Sequence, residues 1–372
     1  MAYAIRAPGR YLQGAGELDN LGLNCKKLGQ SFFVVCSAGG QRRFGERVTQ
    51  SFAAQEKRVV FSVFGGEATK DEVFAKMEEC KAAGCDAVVG LGGGKAIDTA
   101  KAVAENLGGL PCIIVPTVCS NDAPCSGVAV LYNQEGVVIK AVLTRRNPDL
   151  VLVDTDIIAH APARMLACGI GDALSTWFEA RACQKSGAKT MARGYGTQTA
   201  MMMARLCYDI LLRDAADAME AVRSQTVTPA LERVVEAGIL LSGVGFESGG
   251  LAAAHAVNDG FAQEPKTHGM YHGEKVAFGT LVQLVLEKAP RQELDEVLNL
   301  MKQVGLPMTL AQLGITVPRA ETLYEVAKAA VVPTQSTKNL SPEITADDVY
   351  AAILAADELG RAYLGAAKEA NK

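Results

Sequence analysis

The chain is poor in histidine and tryptophan and has no long apolar run, and each shortage excludes something. Among 372 residues there are four histidines (His160, His255, His268 and His272) and one tryptophan. No stretch of about 18 apolar residues occurs, so nothing reads as a membrane-spanning helix. The opening MAYAIRAPGRYLQGAG lacks the charged-then-apolar layout of a secretory leader, and a cytoplasmic protein with no membrane partner is expected. A formal net charge of -4, with no block of like charges, leaves no basic footprint for nucleic acid. The ten cysteines include no C-x-x-C pair and mostly sit in apolar segments, so they read as reduced, buried small side chains. Cys119 and Cys125 lie in a polar loop, but neither has a histidine nearby in sequence to activate a thiolate. Internal repeats and low-complexity segments are lacking too.

What is present is a composition of 49% hydrophobic and 21% charged residues, that of a globular protein whose partner is a small molecule. The length exceeds the roughly 250–300 residues at which single cores stop growing, so two domains are expected. Residues 1–158 alternate β-rich runs with helical patterns: SFFVVC (31–36), RVVFSVF (58–64), DAVVGL (86–91), CIIVP (112–116), GVAVLY (127–132) and DLVLVD (149–154), with helices over 40–54 and 69–83. Thr69 and Glu72 stand at capping-box spacing. This alternation predicts an α/β domain with a mostly parallel sheet covered on both faces. Residues 159–372 change to long Ala-, Leu- and Met-rich stretches, including 164–183, 189–212, 231–243, 274–288 and 346–363, which predict an all-helical domain. No flexible Gly/Ser linker separates the two, and domains packed about a cleft are expected.

Two segments of the first domain carry chemistry. In DAVVGLGGGKAIDTAKAVA a buried strand runs through Gly92-Gly93-Gly94 into a helix from about Lys95. Glycines at such a turn let the backbone approach a diphosphate, and the free N–H groups and dipole of the helix start favour its charge. The motif is neither G-x-G-x-x-G nor G-x-x-x-x-G-K-[ST], so a tight turn without ligand stays open beside the phosphate reading. One strand later, Thr117, Ser120, Asn121, Asp122 and Ser126 form a polar loop past a strand's carboxyl end, where open α/β sheets bind ligands. The same residues are also good turn formers.

In the second domain His255 and His272, seventeen residues apart, fall in the glycine-flanked segments AAAHAVNDGF and MYHGEKVAFG. Upstream, Asp172 sits among apolar and small residues in LACGIGDALSTWFEA, a costly place for a carboxylate unless something positive binds it. Two imidazoles and a carboxylate form a three-ligand set that leaves a fourth position for water or substrate. Taken singly, a histidine in such a pattern is more often a hydrogen-bonded core or surface residue than a ligand. His268 precedes His272 by one helical turn, but Gly269 argues against so early a helix start, so His268 is expected in a loop and His160 at an exposed helix end.

The segments PTVCSNDAPCSGVAVLY, GIGDALSTWFEA, GFESGGLAAAHAVNDGF, YHGEKVAFGTLVQL and ITADDVYAAILAADELG together resemble the glycerol dehydrogenases of the iron-containing alcohol dehydrogenase superfamily, which shares its fold with dehydroquinate synthase. The resemblance spans nearly the whole chain. It implies that Asp172, His255 and His272 hold one zinc ion per chain. Thr176 stands where iron-type members carry a further histidine, which favours zinc. It also implies a nicotinamide dinucleotide bound by Gly93, Gly94, Lys95, Asp98, Thr117, Ser120, Ser126, Val128 and Tyr132, a polyol held by Asp122 with Phe246 packed against it, and a homo-octamer. Relatives usually end the SFFVVC-type strand with an aspartate for the adenine ribose. Here Ser37 stands there, with Arg42 and Arg43 following, so NADP is open beside NAD.

The implied activity is reversible oxidation of glycerol or a related vicinal diol to the hydroxyketone, with Asp122, Phe246 and His255 at the reacting site. The alternative is a superfamily member for another substrate: a hydroxy-acid or 2-hydroxyketone reductase, or an enzyme of a phosphorylated substrate such as glycerol 1-phosphate. A phosphorylated substrate needs several cations, and the site segments supply mainly Lys266 and Lys275. A non-catalytic paralogue would be expected to lose a ligand or the glycine turn, and both are kept.

Overall fold

The computed structural model describes residues 2–133 and 138–370. It resolves into two compact units, one comprising Arg6–Met165 with Ala221–Gly243, the other Met1–Ile5, Leu166–Glu220 and Val244–Lys372.

The strands are β1 (Tyr3–Ala4), β2 (Tyr11–Gly14), β3 (Ser31–Cys36), β4 (Arg58–Val63), β5 (Ala87–Gly92), β6 (Cys112–Pro116), β7 (Val128–Tyr132), β8 (Val138–Leu143), β9 (Leu150–Asp154) and β10 (Tyr195–Gly196). Six of them form the sheet of the first unit in the order β2-β9-β6-β5-β3-β4, every pair parallel. The inner strands β3, β6 and β9 are buried at every position and β5 at all but its last, which is why they read as unbroken apolar runs: both faces need cover. On one face Phe32, Val34, Val89, Ile113, Leu150 and Leu152 pack with Leu18, Leu21 and Phe52, the Phe32 and Phe52 rings 4.4 Å apart.

The chain passes from β3 outward to β4 and then returns to place β5 on the other side of β3. The strand order therefore reverses between β3 and β5, and in open α/β sheets a crevice opens at the carboxyl ends of the two strands at such a switch point. Ser37 follows β3 and Gly93 follows β5, so two of the predicted cofactor positions flank that point.

Two expectations change here. GVAVLY does form a strand, β7, but it lies outside the parallel sheet and pairs antiparallel with β8, which the sequence reading had not identified. Strand β8 is exposed at nearly every position, so it has no inward face to give an alternating pattern. Thr69 caps its helix by accepting from Glu72 N at 3.1 Å, but Glu72 sends its carboxylate to Gly65 N at 2.8 Å, so only half of the capping box forms.

Among the described residues, the regular structure of the second unit is helical apart from the short parallel pair of β1 with β10. The helix expected over 189–212 instead spans Gln198–Arg223, because the preceding segment contains a left-handed Gly187 (φ 71) and strand β10. The helix expected over 231–243 starts at Pro229 under a Thr228 cap, loosens into π-helical geometry over Ala237–Leu241, and continues as Ser242–Gly249. The helix expected from Glu274 begins at His272, the N-cap Tyr271 donating its N–H to Glu274 at 2.8 Å. No single helix among the described residues is long and apolar enough to cross a membrane.

Candidate active site

Three helices bring Asp172, His255 and His272 together. Asp172 is midway along Ala163–Ser186, His255 is in the first turn of Ala253–Gly260, and His272 is the first residue of His272–Leu286. The Nε2 atoms of His255 and His272 lie 3.5 and 3.2 Å from the same oxygen, Oδ1 of Asp172, and the three ligand atoms are all within 4.8 Å of one another. Asp172 is fully buried, His255 nearly so, and the His272 side chain is 42% exposed, so the cluster is closed on the protein side and reachable from solvent past His272.

The helices can approach this closely because a glycine adjoins each meeting point. A Cβ on Gly273, next to His272, would run into the carbonyl of Cys168, one turn before Asp172, and a Cβ on Gly171 would run into the carbonyl of Gly273. Glycine inside a helix costs roughly 1 kcal/mol against alanine, and close backbone approach is what offsets that here.

The electrostatics fit a cation. Burial disfavours a charged Asp172, yet the imidazoles of His272 and His255 hold its carboxyl well below the usual range. Burial also disfavours a charged His255, and the carboxylates of Glu179 and Asp172 outweigh it and push that imidazole well above its ordinary value. Two carboxyl groups with no exposed side-chain surface, Asp172 and Glu179, thus face a single pair of imidazoles. A divalent ion held by Asp172, His255 and His272 would neutralise that arrangement, and a donor set of nitrogen with oxygen suits zinc-type cations.

In the sheet unit the glycine turn is built as expected. Gly93 is the N-cap of helix Gly94–Asn106 and gives it no side-chain cap, so backbone N–H groups are presented at its start. The Asn121 amide lies so close over Gly94 that an added Cβ would be 2.5 Å from it. Thr117 N donates to Gly92 O at 3.0 Å, tying the polar loop to the same turn. Lys95 pairs with Glu67 at 2.5 Å and stands 5.1 Å from the Tyr132 ring centroid. Asp98 is buried beside Lys101, whose Nζ donates to Val128 O at 2.9 Å, to Ser126 Oγ at 3.3 Å and to Ala123 O. Asp122 accepts from Ser242 Oγ at 2.7 Å, and Ser120 is half-buried in the same loop. Phe246 is buried on Ser242–Gly249.

Ser37 N-caps Ala38–Ala53, its Oγ accepting from Gly40 N at 3.0 Å while the residue stays exposed. The Arg42 guanidinium folds back toward Gly39, and Arg43 Nε donates to Gly39 O at 3.3 Å. His268 is an exposed loop residue 3.2 Å from Ala262 O, and His160 is an exposed helix-end residue beside Asp156.

Sequence reasoning missed Glu179, which lies 2.6 Å from His255 Nδ1, together with Gln283, Lys101 and Ser242. For Glu179 and Gln283 the signal was a polar residue in a small-residue or apolar stretch of helix: Glu179 falls seven residues after Asp172 and Gln283 eleven after His272, on the ligand-bearing faces.

Residues 8–155 match the family model described as iron-containing alcohol dehydrogenase. The chain is 49% identical over 360 residues to a glycerol dehydrogenase of Escherichia coli O6:H1, covering 97% of this chain and 98% of that one. It is also 49% identical over 364 residues to a glycerol dehydrogenase of Pseudomonas putida, covering 98% and 100%. The solved structure of a probable glycerol dehydrogenase from Sinorhizobium meliloti 1021 superposes with a TM-score of 0.93 at 42% identity, over 97% of this chain and 100% of that one.

Proposed function

The chain belongs to the iron-containing alcohol dehydrogenase family, and from that premise we propose that it oxidises glycerol or a related vicinal diol to the hydroxyketone, reversibly, with a nicotinamide dinucleotide and one zinc ion. The observation that carries this reading is the convergence of Asp172, His255 and His272 on one point, with His272 half open to solvent.

When bound, the metal supplies Lewis acidity to a substrate hydroxyl and the dinucleotide supplies the hydride acceptor. The protein supplies position and charge. Asp172, His255 and His272 hold the metal. The uncapped start at Gly93 and Gly94, with Lys95, Asp98, Thr117, Ser120, Ser126, Val128 and Tyr132, would hold the dinucleotide, and backbone N–H groups at a helix start suit a diphosphate. Asp122, oriented by Ser242, takes a hydrogen bond from the hydroxyl beside the reacting one, and Phe246 packs on the carbon skeleton. A site built to accept a second hydroxyl penalises substrates that lack it, which sets a diol preference. His255 is engaged at Nδ1 by Glu179 and is not a free base, so the released proton leaves by water on the open side of His272.

Ser37 leaves no carboxylate to repel a 2′-phosphate, and Arg42 lies close to the same helix start, so the site accepts NADP beside NAD. Ten free thiols suit a reducing, cytoplasmic setting, and the family resemblance carries the expectation of a homo-oligomer. The test is NAD(P)⁺ reduction with glycerol, 1,2-propanediol and glycerol 1-phosphate side by side, with and without chelator. Chelator-sensitive turnover of the first two supports the reading, and preference for the phosphorylated substrate refutes it.

A further inference from the structure

Glu179 lies two turns beyond Asp172 on the same helix, fully buried, and its partners are all at the start of the helix that carries His255. Oε1 accepts from Ala252 N at 2.8 Å and from His255 N at 3.0 Å, while Oε2 lies 2.6 Å from His255 Nδ1. The N–H groups between them, of Ala253 and Ala254, go to Gln283 Oε1 at 3.0 and 2.9 Å. This helix starts at an alanine, which has no side-chain acceptor for its first-turn donors. Side chains from the two other ligand-bearing helices provide the cap instead. Gln283 contributes capping alone, and its amide donates onward to Glu287 at 2.7 Å. Glu179 caps the helix and holds the imidazole.

We propose that Glu179 is a positioning residue for the metal: its carboxylate keeps the His255 proton at Nδ1 when the ion binds, so that Nε2, on the side of Asp172 Oδ1, is the nitrogen left to ligate. The proposal rests on the metal reading of Asp172, His255 and His272. Two features separate it from a purely structural role. The carboxylate oxygen that meets the imidazole is not the one that accepts the two backbone N–H groups, so capping and orientation use different atoms. Ionised carboxylate also accepts only, so the Nδ1 atom opposite it must carry the proton.

The isosteric Glu179→Gln variant turns this into a test. The glutamine carbonyl is required by Ala252 N and His255 N, which places its NH2 group against His255 Nδ1. A donor there demands a lone pair on Nδ1, puts the imidazole proton on Nε2 and directs it at the metal position. In chelator competition with zinc, the wild-type chain should hold one zinc, and folded Glu179→Gln should bind it about 10- to 100-fold more weakly. Gln283→Met removes capping without touching the imidazole and should lower the melting temperature while zinc affinity stays the same. Unchanged zinc affinity in Glu179→Gln, or an equal loss in Gln283→Met, would overturn the proposal. Failure of the wild-type chain to bind zinc would overturn the metal reading and this proposal with it, and is recognised because it is seen without any substitution. If Glu179→Gln does not fold, the wild-type zinc-loaded protein decides. With four histidines to assign, ¹H–¹⁵N spectra should show His255 protonated at Nδ1 and shifted downfield by its short hydrogen bond. A His255 protonated at Nε2 refutes the assignment.

Discussion

Replacing Gly273 by alanine tests how the metal cluster is assembled without touching a ligand. An added Cβ would run into the Cys168 carbonyl oxygen, 2.7 Å from the carbonyl carbon and 3.1 Å from Asp172 N, while ordinary contact begins near 3.4 Å. Both neighbours are helix backbone, and the carbonyl oxygen is the nearer atom, so relief requires the helix start at His272 to move away from the Asp172 helix by more than about 1 Å. Metal–ligand distances tolerate only about 0.2 Å, so a displacement of that size separates His272 from its partners. Overpacking costs roughly 1–3 kcal/mol, and the better helix propensity of alanine returns about 1 kcal/mol. The net loss of stability is therefore small, and metal affinity is the discriminating readout. Gly273→Ala should remain folded by circular dichroism and lose zinc affinity by at least about tenfold in chelator competition, with activity falling in parallel. A variant that binds zinc and turns over as the unsubstituted chain does would show that the close approach of these helices does not set the cluster.

Further outcomes follow from the sheet unit and the thiols. Asp122→Ala should lower kcat/KM for diols by about ten- to several-hundredfold and simple secondary alcohols far less, the loss expected for a charge-assisted hydrogen bond; equal losses for propan-2-ol and 1,2-propanediol would assign Asp122 to the cofactor or the fold. The unsubstituted chain should use both NAD and NADP within about two orders of magnitude in kcat/KM, and Ser37→Asp should shift preference toward NAD by repelling the 2′-phosphate; strict rejection of NADP before substitution would show that another group decides. Burial pushes Cys36 and Cys80 up to about 11 and Cys25, Cys112 and Cys183 up to about 12, so at pH 8 their thiolates are scarce, and reactivity should grow only as pH rises toward those values. A thiol reagent should therefore find at most the half-buried Cys85 in the native protein and all ten cysteines in denaturant; rapid native labelling of Cys25 or Cys112 would contradict the packing described.

The inner strands β3, β5, β6 and β9 were legible because they are buried on both faces and so appear as unbroken apolar runs, and SFFVVC and CIIVP emerge with the boundaries expected of them, whereas the half-buried edge strand β2 was missed. Strand β8 was not, since an exposed strand leaves no period in hydrophobicity. The glycine turn could be read from its neighbours, and the structure adds Asn121 seated on Gly94 and Lys101 gripping Ser126 and Val128, contacts that depend on how separate segments meet. Asp172, His255 and His272 were conspicuous as polar residues in small-residue surroundings. Glu179, equally conspicuous in STWFEA, had no meaning until the start of the His255 helix was seen to lack a cap of its own. The π-helical segment Ala237–Leu241, which precedes Ser242 and its bond to Asp122, has no propensity signal, because such turns are imposed by packing.

The central claim is that turnover depends on one metal ion held by Asp172, His255 and His272. The direct measurement is the initial rate of NAD⁺ reduction by glycerol in chelator-stripped protein as zinc is added back. The rate should rise linearly and break at one zinc per chain, and His272→Ala, folded, should stay flat. Full activity in the stripped protein, or restoration of His272→Ala by the same zinc, would contradict the account.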